Sequence, residues 1–181
     1  SNDIREVTMN CSAEDVGDEP LMMKKILPKA RVLVSKDRLE GVNYINSLNK
    51  SNKLIILDDA LQHRQLANGY SILLTRHNQP FITDSLYPSG TLRDIKSRAK
   101  NADSIVVTKV DSKLNNLESL KSKLSSFTKR NVLSSEASYS DYVNYFSSKA
   151  VELDKKVLVV SGLANPEPFV EHIQLYSEVV K

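Results

Sequence analysis

Two adjacent carboxylates, Asp58 and Asp59, follow the apolar run Leu54-Ile55-Ile56-Leu57 and precede Gln62, His63 and Arg64. Like charges side by side are costly unless a cation or a donor lies between them. In mononucleotide-binding α/β proteins, an apolar strand ending in Asp is where Mg²⁺ is held against nucleotide phosphates. The competing use is to cap the next turn. Donors and an imidazole just beyond the carboxylates suit an anionic substrate and favour the metal-binding use. A third carboxylate, Asp18, stands before Glu19-Pro20. There it serves as a helix cap, or as a general base if a substrate hydroxyl comes within hydrogen-bond reach. Ser89, Gly90 and Arg93 form a further cluster. A guanidinium fork matches phosphate oxygens, and a Gly turn lets backbone N–H groups approach them. An Arg near Lys96 and Arg98 can equally be a solvated surface cation. His77, His172 and Cys11 lack metal-ligand spacing, so no zinc site is expected and both histidines are expected at the surface.

Alternating helical and strand patterns position these residues. Arg5 to Asn10 suggests a short strand or lead-in, followed by a polar loop from Ser12 to Asp18. Asp18-Glu19-Pro20 starts a short helix that Pro28 stops. Ala30 to Ser35 predicts a strand. Asp37 caps a helix carrying Leu39, Val42, Ile45 and Leu48 at helical spacing. The run Leu54 to Leu57 predicts a strand buried on both faces. Asn68-Gly69 marks a turn before a second buried strand, Tyr70 to Thr75. A long loop then runs from His77 to Gly90, and loops of that length in compact domains are often functional. A cation-rich turn or helix start spans Leu92 to Lys100. Asp103 to Thr108 predicts a strand, and Leu114, Leu117, Leu120, Leu124 and Phe127 mark one face of a helix. A strand at Asn131 to Ala137, a helix at Tyr139 to Lys149, a strand at Lys156 to Val160, a helix at Pro166 to Ile173 and a strand at Leu175 to Val180 complete the reading. Such alternation implies βαβ units and an α/β domain with a mainly parallel sheet flanked by helices.

The 181 residues suffice for one domain spanning 1–181. An apolar fraction of 40% with 26% charged residues is that of a globular chain, and no apolar run approaches the ~20 residues that span a bilayer. The chain is expected to be soluble. A net charge of +3 gives little support for nucleic-acid binding, and none is expected as a partner. The single cysteine excludes an intrachain disulfide and suits a reducing compartment.

Asp58-Asp59-Ala60-Leu61-Gln62-His63-Arg64 resembles the DDGFQHR signature of the tetraacyldisaccharide 4′-kinases, which phosphorylate a lipid A precursor. Ala60 and Leu61 replace Gly and Phe. Three further stretches resemble that family in the same order: Val16-Gly17-Asp18-Glu19-Pro20, Leu86-Tyr87-Pro88-Ser89-Gly90-Thr91-Leu92-Arg93-Asp94 (like LLPAGPLRE) and Ser161-Gly162-Leu163-Ala164-Asn165-Pro166 (like GIGNP). The resemblance implies a P-loop NTPase-like fold. It implies Asp18 as the base that takes the proton from the sugar hydroxyl, and Asp58 and Asp59 as holders of Mg²⁺. It also implies Gln62, His63, Ser89, Gly90 and Arg93 as substrate contacts, with ATP and the lipid A disaccharide precursor as substrates. Asp94 stands where the family has Glu, and its shorter reach weakens any metal or substrate role there.

None of the five glycines begins a G-x-x-x-x-G-K-[ST] loop, and the family's downstream Asp-His-His stretch is absent too. A P-loop kinase needs that loop to cradle the phosphates. With no initiator Met and with Ser1-Asn2 resembling a tag-removal scar, the expectation is a central piece of a longer kinase, inactive by itself. The parent would sit at the cytoplasmic face of the bacterial inner membrane through an N-terminal anchor. The alternative is a nucleotide-binding regulatory or GTPase-like module, carried by Thr108-Lys109-Val110-Asp111, which resembles the (N/T)KxD base-reading motif. The local use of that turn would be Asp111 capping the following helix.

Overall fold

The computed structural model describes residues 4–48, 54–61, 63, 65–66, 69–111, 113–163 and 165–180. Two compact units form, Ser1–Ser135 and Glu136–Lys181.

In the first unit, β1 (Ile4–Val7) pairs antiparallel with β2 (Val32–Ser35), from Ile4 opposite Ser35 to Val7 opposite Val32. Arg31 closes the hairpin-like pair with a fork onto Glu6, Nε to Oε1 at 2.9 Å and Nη2 to Oε2 at 2.5 Å. Where a polar loop is expected, α1 (Ala13–Val16) forms a single turn. Ser12 and Asp15 cap each other's backbone N–H groups, and this reciprocal box starts the turn. Gly17, at φ 87, then redirects the chain into α2 (Asp18–Ile26). α2 ends at Leu27, ahead of Pro28 as expected. Asp37 Oδ1 accepts from the N–H groups of Leu39 and Glu40 at 2.7 and 3.3 Å, capping α3 (Arg38–Leu48).

The main sheet is parallel: β3 (Ile72–Arg76), β4 (Ser104–Thr108) and β5 (Val132–Ser134), in that spatial order. Leu74, Val106 and Leu133 stand in register across one face, and Leu73, Ile105 and Val132 across the other. α4 (Leu117–Leu124), followed by a 3₁₀ turn at Ser125–Phe127, packs on the second face. Ile105, Val107, Leu120 and Leu124 form the buried core, and Phe81 meets Phe127 edge-to-face at 5.5 Å. Leu124 is fully buried, so Leu124→Ala should lower unfolding stability by about 2–5 kcal/mol, measured by urea titration.

Several expectations are corrected. Leu54–Leu57 forms no strand, and Leu54 and Ile56 are 86% and 83% exposed. No strand among the described residues pairs with the run, so no ladder among them holds it. β3 is buried on one face only, since Ile72 and Leu74 are 56% and 64% exposed. Its described strand neighbour, β4, lies along one edge alone. The Asn68-Gly69 turn includes a residue outside the described ones.

In the second unit, β6 (Lys156–Leu158) and β7 (Glu178–Val180) run parallel with α5 (Glu167–Gln174) between them. No helix forms over Tyr139–Lys149. Asn144 Oδ1 instead accepts from the N–H groups of Phe146 and Ser147 and from the Ser147 hydroxyl, a local turn that competes with helix formation. His172 is half-buried rather than a free surface residue, stacked on Tyr139 with ring centroids 3.9 Å apart.

Candidate functional site

Asp58 and Asp59 emerge after the exposed Leu54–Leu57 run, both exposed and neither hydrogen-bonded nor ion-paired to a described residue. Asp59 takes φ 45, a left-handed conformation that Asp tolerates better than most residues. Two tight turns follow, with the His63 N–H donating to the Ala60 carbonyl at 3.0 Å and the Leu66 N–H to the His63 carbonyl at 3.1 Å. These turns leave His63 exposed. Gln62 and Arg64 lie outside the described residues, as does Ala164.

Asp18 is the first residue of α2, exposed and without a hydrogen bond or ion pair among the described residues. No described residue therefore engages its carboxylate, while Gly17 sets the direction of the helix start.

Ser89 and Gly90 lie in one closed turn, which Arg93 directly follows, organised by a residue the sequence did not single out. Asp84 Oδ1 accepts from the Ser85 and Thr91 N–H groups at 2.6 and 3.1 Å, and its Oδ2 accepts from the Thr91 hydroxyl. Backbone bonds from Tyr87 N–H to Leu92 O, from Gly90 N–H to Leu86 O and from Leu92 N–H to Ser85 O shut the turn at 3.0, 3.1 and 3.0 Å. A Cβ at Gly90 would collide with Ser85 O and Asp84 Oδ1 and lie 2.7 Å from the Ser85 carbonyl carbon, so only glycine fits. Ser89 and Arg93 are exposed, and Arg93 has no ion-pair partner among the described residues.

The Thr91 hydroxyl, then the Ser85 and Thr91 N–H groups, hold the Asp84 carboxyl below the ordinary carboxylate range. A depressed folded-state value means that the turn gains stability above the unfolded pKa of about 3.9 and loses it as pH falls through the lower folded value. Acidification below about pH 4 should therefore release protection of the Thr91 amide, read by hydrogen exchange. Asp84→Asn should remove that pH dependence.

Arg98 joins two of the candidate stretches. Its Nη2 donates to the Leu61 carbonyl at 3.5 Å and its Nε lies 3.5 Å from Asp94 Oδ2. The turn after Asp58-Asp59 and the residue that follows Arg93 thus share one half-buried guanidinium, on a residue the sequence reading named only as a neighbouring cation. Asp94 also accepts from the Ile95 N–H at 2.8 Å, so its carboxylate is already engaged locally. No hydrogen bond or ion pair among the described residues ties Asp18 to either stretch.

The Thr108–Asp111 turn is pinned by His77, which is 1% exposed, contrary to the expected surface position. The His77 N–H donates to Thr108 O at 3.0 Å and its Nδ1 accepts from the Asp111 N–H at 3.1 Å. The imidazole thereby supplies the acceptor for an amide just past the end of β4. Lys109 has φ 51, and Asp111 Oδ1 accepts from the Lys113 N–H at 2.9 Å. Asp111 thus closes a local turn, and Asn116 rather than Asp111 stands at the start of α4.

No group of three or more His, Cys, Asp or Glu residues converges on a metal-sized site among the described residues. No helix among them is long and apolar enough to cross a membrane.

The family described as tetraacyldisaccharide-1-P 4′-kinase matches residues 1–180. The chain is 36% identical over 171 residues to the tetraacyldisaccharide 4′-kinase of Flavobacterium psychrophilum, covering 90% of this chain and 50% of that protein. It is 34% identical over 180 residues to that of Parabacteroides distasonis, covering 93% and 49%. With that of Flavobacterium johnsoniae it shares 31% identity over 175 residues, covering 91% and 50%. The chain spans about half the length of the curated relatives it matches. No solved structure matches it. With a family match over nearly every residue and the family's stretches present in order, the chain belongs to the tetraacyldisaccharide-1-P 4′-kinase family.

Proposed function

We propose that residues 1–181 form part of the α/β, P-loop NTPase-like catalytic domain of a lipid A 4′-kinase. In its complete form this enzyme moves the γ-phosphoryl group of ATP onto the 4′-hydroxyl of a tetraacyldisaccharide 1-phosphate. The observation that carries the reading is the exposed Asp58-Asp59 pair, which no described residue neutralises. Two such carboxylates fit Mg²⁺, which takes one or two protein carboxylates and completes its shell with waters and phosphate oxygens. Bound there, Mg²⁺ would neutralise charge on the transferred group. Asp18 accepts the proton of the acceptor hydroxyl at its carboxylate. Arg93 and Ser89 hold anionic oxygens, with Gly90 shaping the turn that presents them because its own N–H is used on Leu86 O, and Gln62 and His63 contact substrate beside the carboxylate pair. The Phe81–Arg93 segment faces the acceptor or the phosphates.

The exposed apolar residues Leu54 and Ile56, and Ile72 and Leu74 on the open face of β3, support a further covering layer over these segments in the complete enzyme. We place the complete enzyme at the cytoplasmic face of the inner membrane, where its lipid acceptor lies, with no role for nucleic acid.

The test uses a protein of the relatives' full length, incubated with γ-labelled ATP and the tetraacyldisaccharide 1-phosphate. Label at the 4′-position of the disaccharide is expected. Label released only as inorganic phosphate, or none transferred, would contradict the proposal.

A further inference from the structure

We infer that Asp84 is a positioning residue that presents Arg93 to an anionic substrate group by holding the Ser85–Leu92 turn shut around Gly90. The inference rests on the proposed role of Arg93 and adds what makes that role possible. An exposed arginine on a loose loop samples many directions, and ordering it on binding costs conformational entropy. Here the preceding turn is already fixed. One carboxylate accepts from two backbone N–H groups and one hydroxyl, all within seven residues of itself. Three backbone hydrogen bonds cross the same turn. Gly90 packs so closely against Ser85 O and the Asp84 carboxylate that no side chain can be added.

Thr91, which donates two of the three bonds that Asp84 accepts, is separated from Arg93 only by Leu92, whose N–H and carbonyl are both used to close the turn. The backbone entering Arg93 is therefore set by Asp84, while the guanidinium itself has no described partner and stays available. Asp84 carries the negative charge but spends its oxygens on local donors. It thus organises an anion-facing loop from behind and leaves the cation exposed in front. Loss of these bonds frees Arg93 to point elsewhere, and misplacement of a substrate-holding group is costly to rate.

The experiment is a double-mutant cycle in a protein of the relatives' full length, reading kcat/KM for phosphate transfer together with the thermal unfolding midpoint. Asp84→Ala and Arg93→Ala are each expected to lower kcat/KM by about tenfold or more. The double variant should be no worse than Arg93→Ala by more than about twofold, because a residue acting only through Arg93 has nothing left to position. Asp84→Asn keeps an acceptor oxygen for the N–H groups and can donate to Thr91 Oγ1, so it should recover most of the loss. Thr91→Val, which removes the hydroxyl donor alone, provides an independent weakening if Asp84→Ala fails to fold. An impaired Arg93→Ala combined with a harmless Asp84→Ala, or with fully additive losses, would overturn the role of Asp84 and leave the substrate role of Arg93 standing. A fully active Arg93→Ala would overturn both.

Discussion

Asp58→Asn and Asp59→Asn, each placed in a protein of the relatives' full length, are expected to lower kcat for phosphate transfer by about a hundredfold or more. Both should leave the urea unfolding midpoint nearly unchanged. The size follows from the charge stabilisation asked of a bound metal, several kcal/mol at about 1.4 kcal/mol per tenfold. Asparagine keeps the shape and one oxygen but loses the charge that a hard divalent cation needs. Stability is spared because neither side chain is buried or bonded to a described residue. Removing one of two adjacent negative charges relieves repulsion and can even raise the midpoint slightly. Steady-state kinetics and urea titration on the same preparations check both halves. Normal turnover in both variants would refute the metal-binding role.

The second large effect concerns the 181-residue chain itself, which is expected to transfer no phosphate and to bind Mg·ATP only weakly. A triphosphate carries about four negative charges, and phosphate-binding kinases of this kind cradle it with the backbone N–H groups and lysine of a Gly-rich loop. The chain contains no such loop. Asp58 and Asp59 facing a bare triphosphate repel it, and the exposed Lys109 and Arg93 offset that repulsion only in part. Calorimetric titration of the chain with Mg·ATP should show no micromolar binding. Micromolar binding, or measurable transfer, would mean that another element of this chain holds the phosphates.

The sequence was most informative where a signal is local. Asp37 before a 3.6-residue apolar pattern gave the start of α3, and it does bond the first N–H groups of that helix. The apolar run at Asp103 to Thr108 gave β4, which is the central strand of the main sheet. Leu54–Leu57 carries the same kind of signal and ends exposed, because an apolar run states only that burial is favourable. It does not supply the neighbouring strands and covering layer. Tyr139–Lys149 failed as a helix because one Asn side chain captures three local donors, a competition that periodicity does not register.

The candidate site divides in the same way. Asp18, Asp58, Asp59 and Arg93 stood out as candidates from residue type and from the family-like stretches that hold them. Asp84, Arg98 and His77 did not. Each acts by reaching groups brought near by folding: the Thr91 donors for Asp84, the Leu61 carbonyl for Arg98 and the Asp111 amide for His77. A lone Asp before Ser, or an Arg among other cations, carries no pattern that marks such a partner.

The most direct test of a metal held by the carboxylate pair is a ligand swap. Asp58→Cys and Asp59→Cys, in a protein of the relatives' full length, are assayed for transfer to the tetraacyldisaccharide 1-phosphate with Mg²⁺ and with the softer Mn²⁺ or Cd²⁺, since thiolates favour softer ions. The expected result is loss of activity with Mg²⁺ and partial recovery with the softer ions in at least one variant, with no matching gain in the parent sequence. Full activity of both variants with Mg²⁺, or equal losses with every metal, would contradict direct metal binding by Asp58 and Asp59.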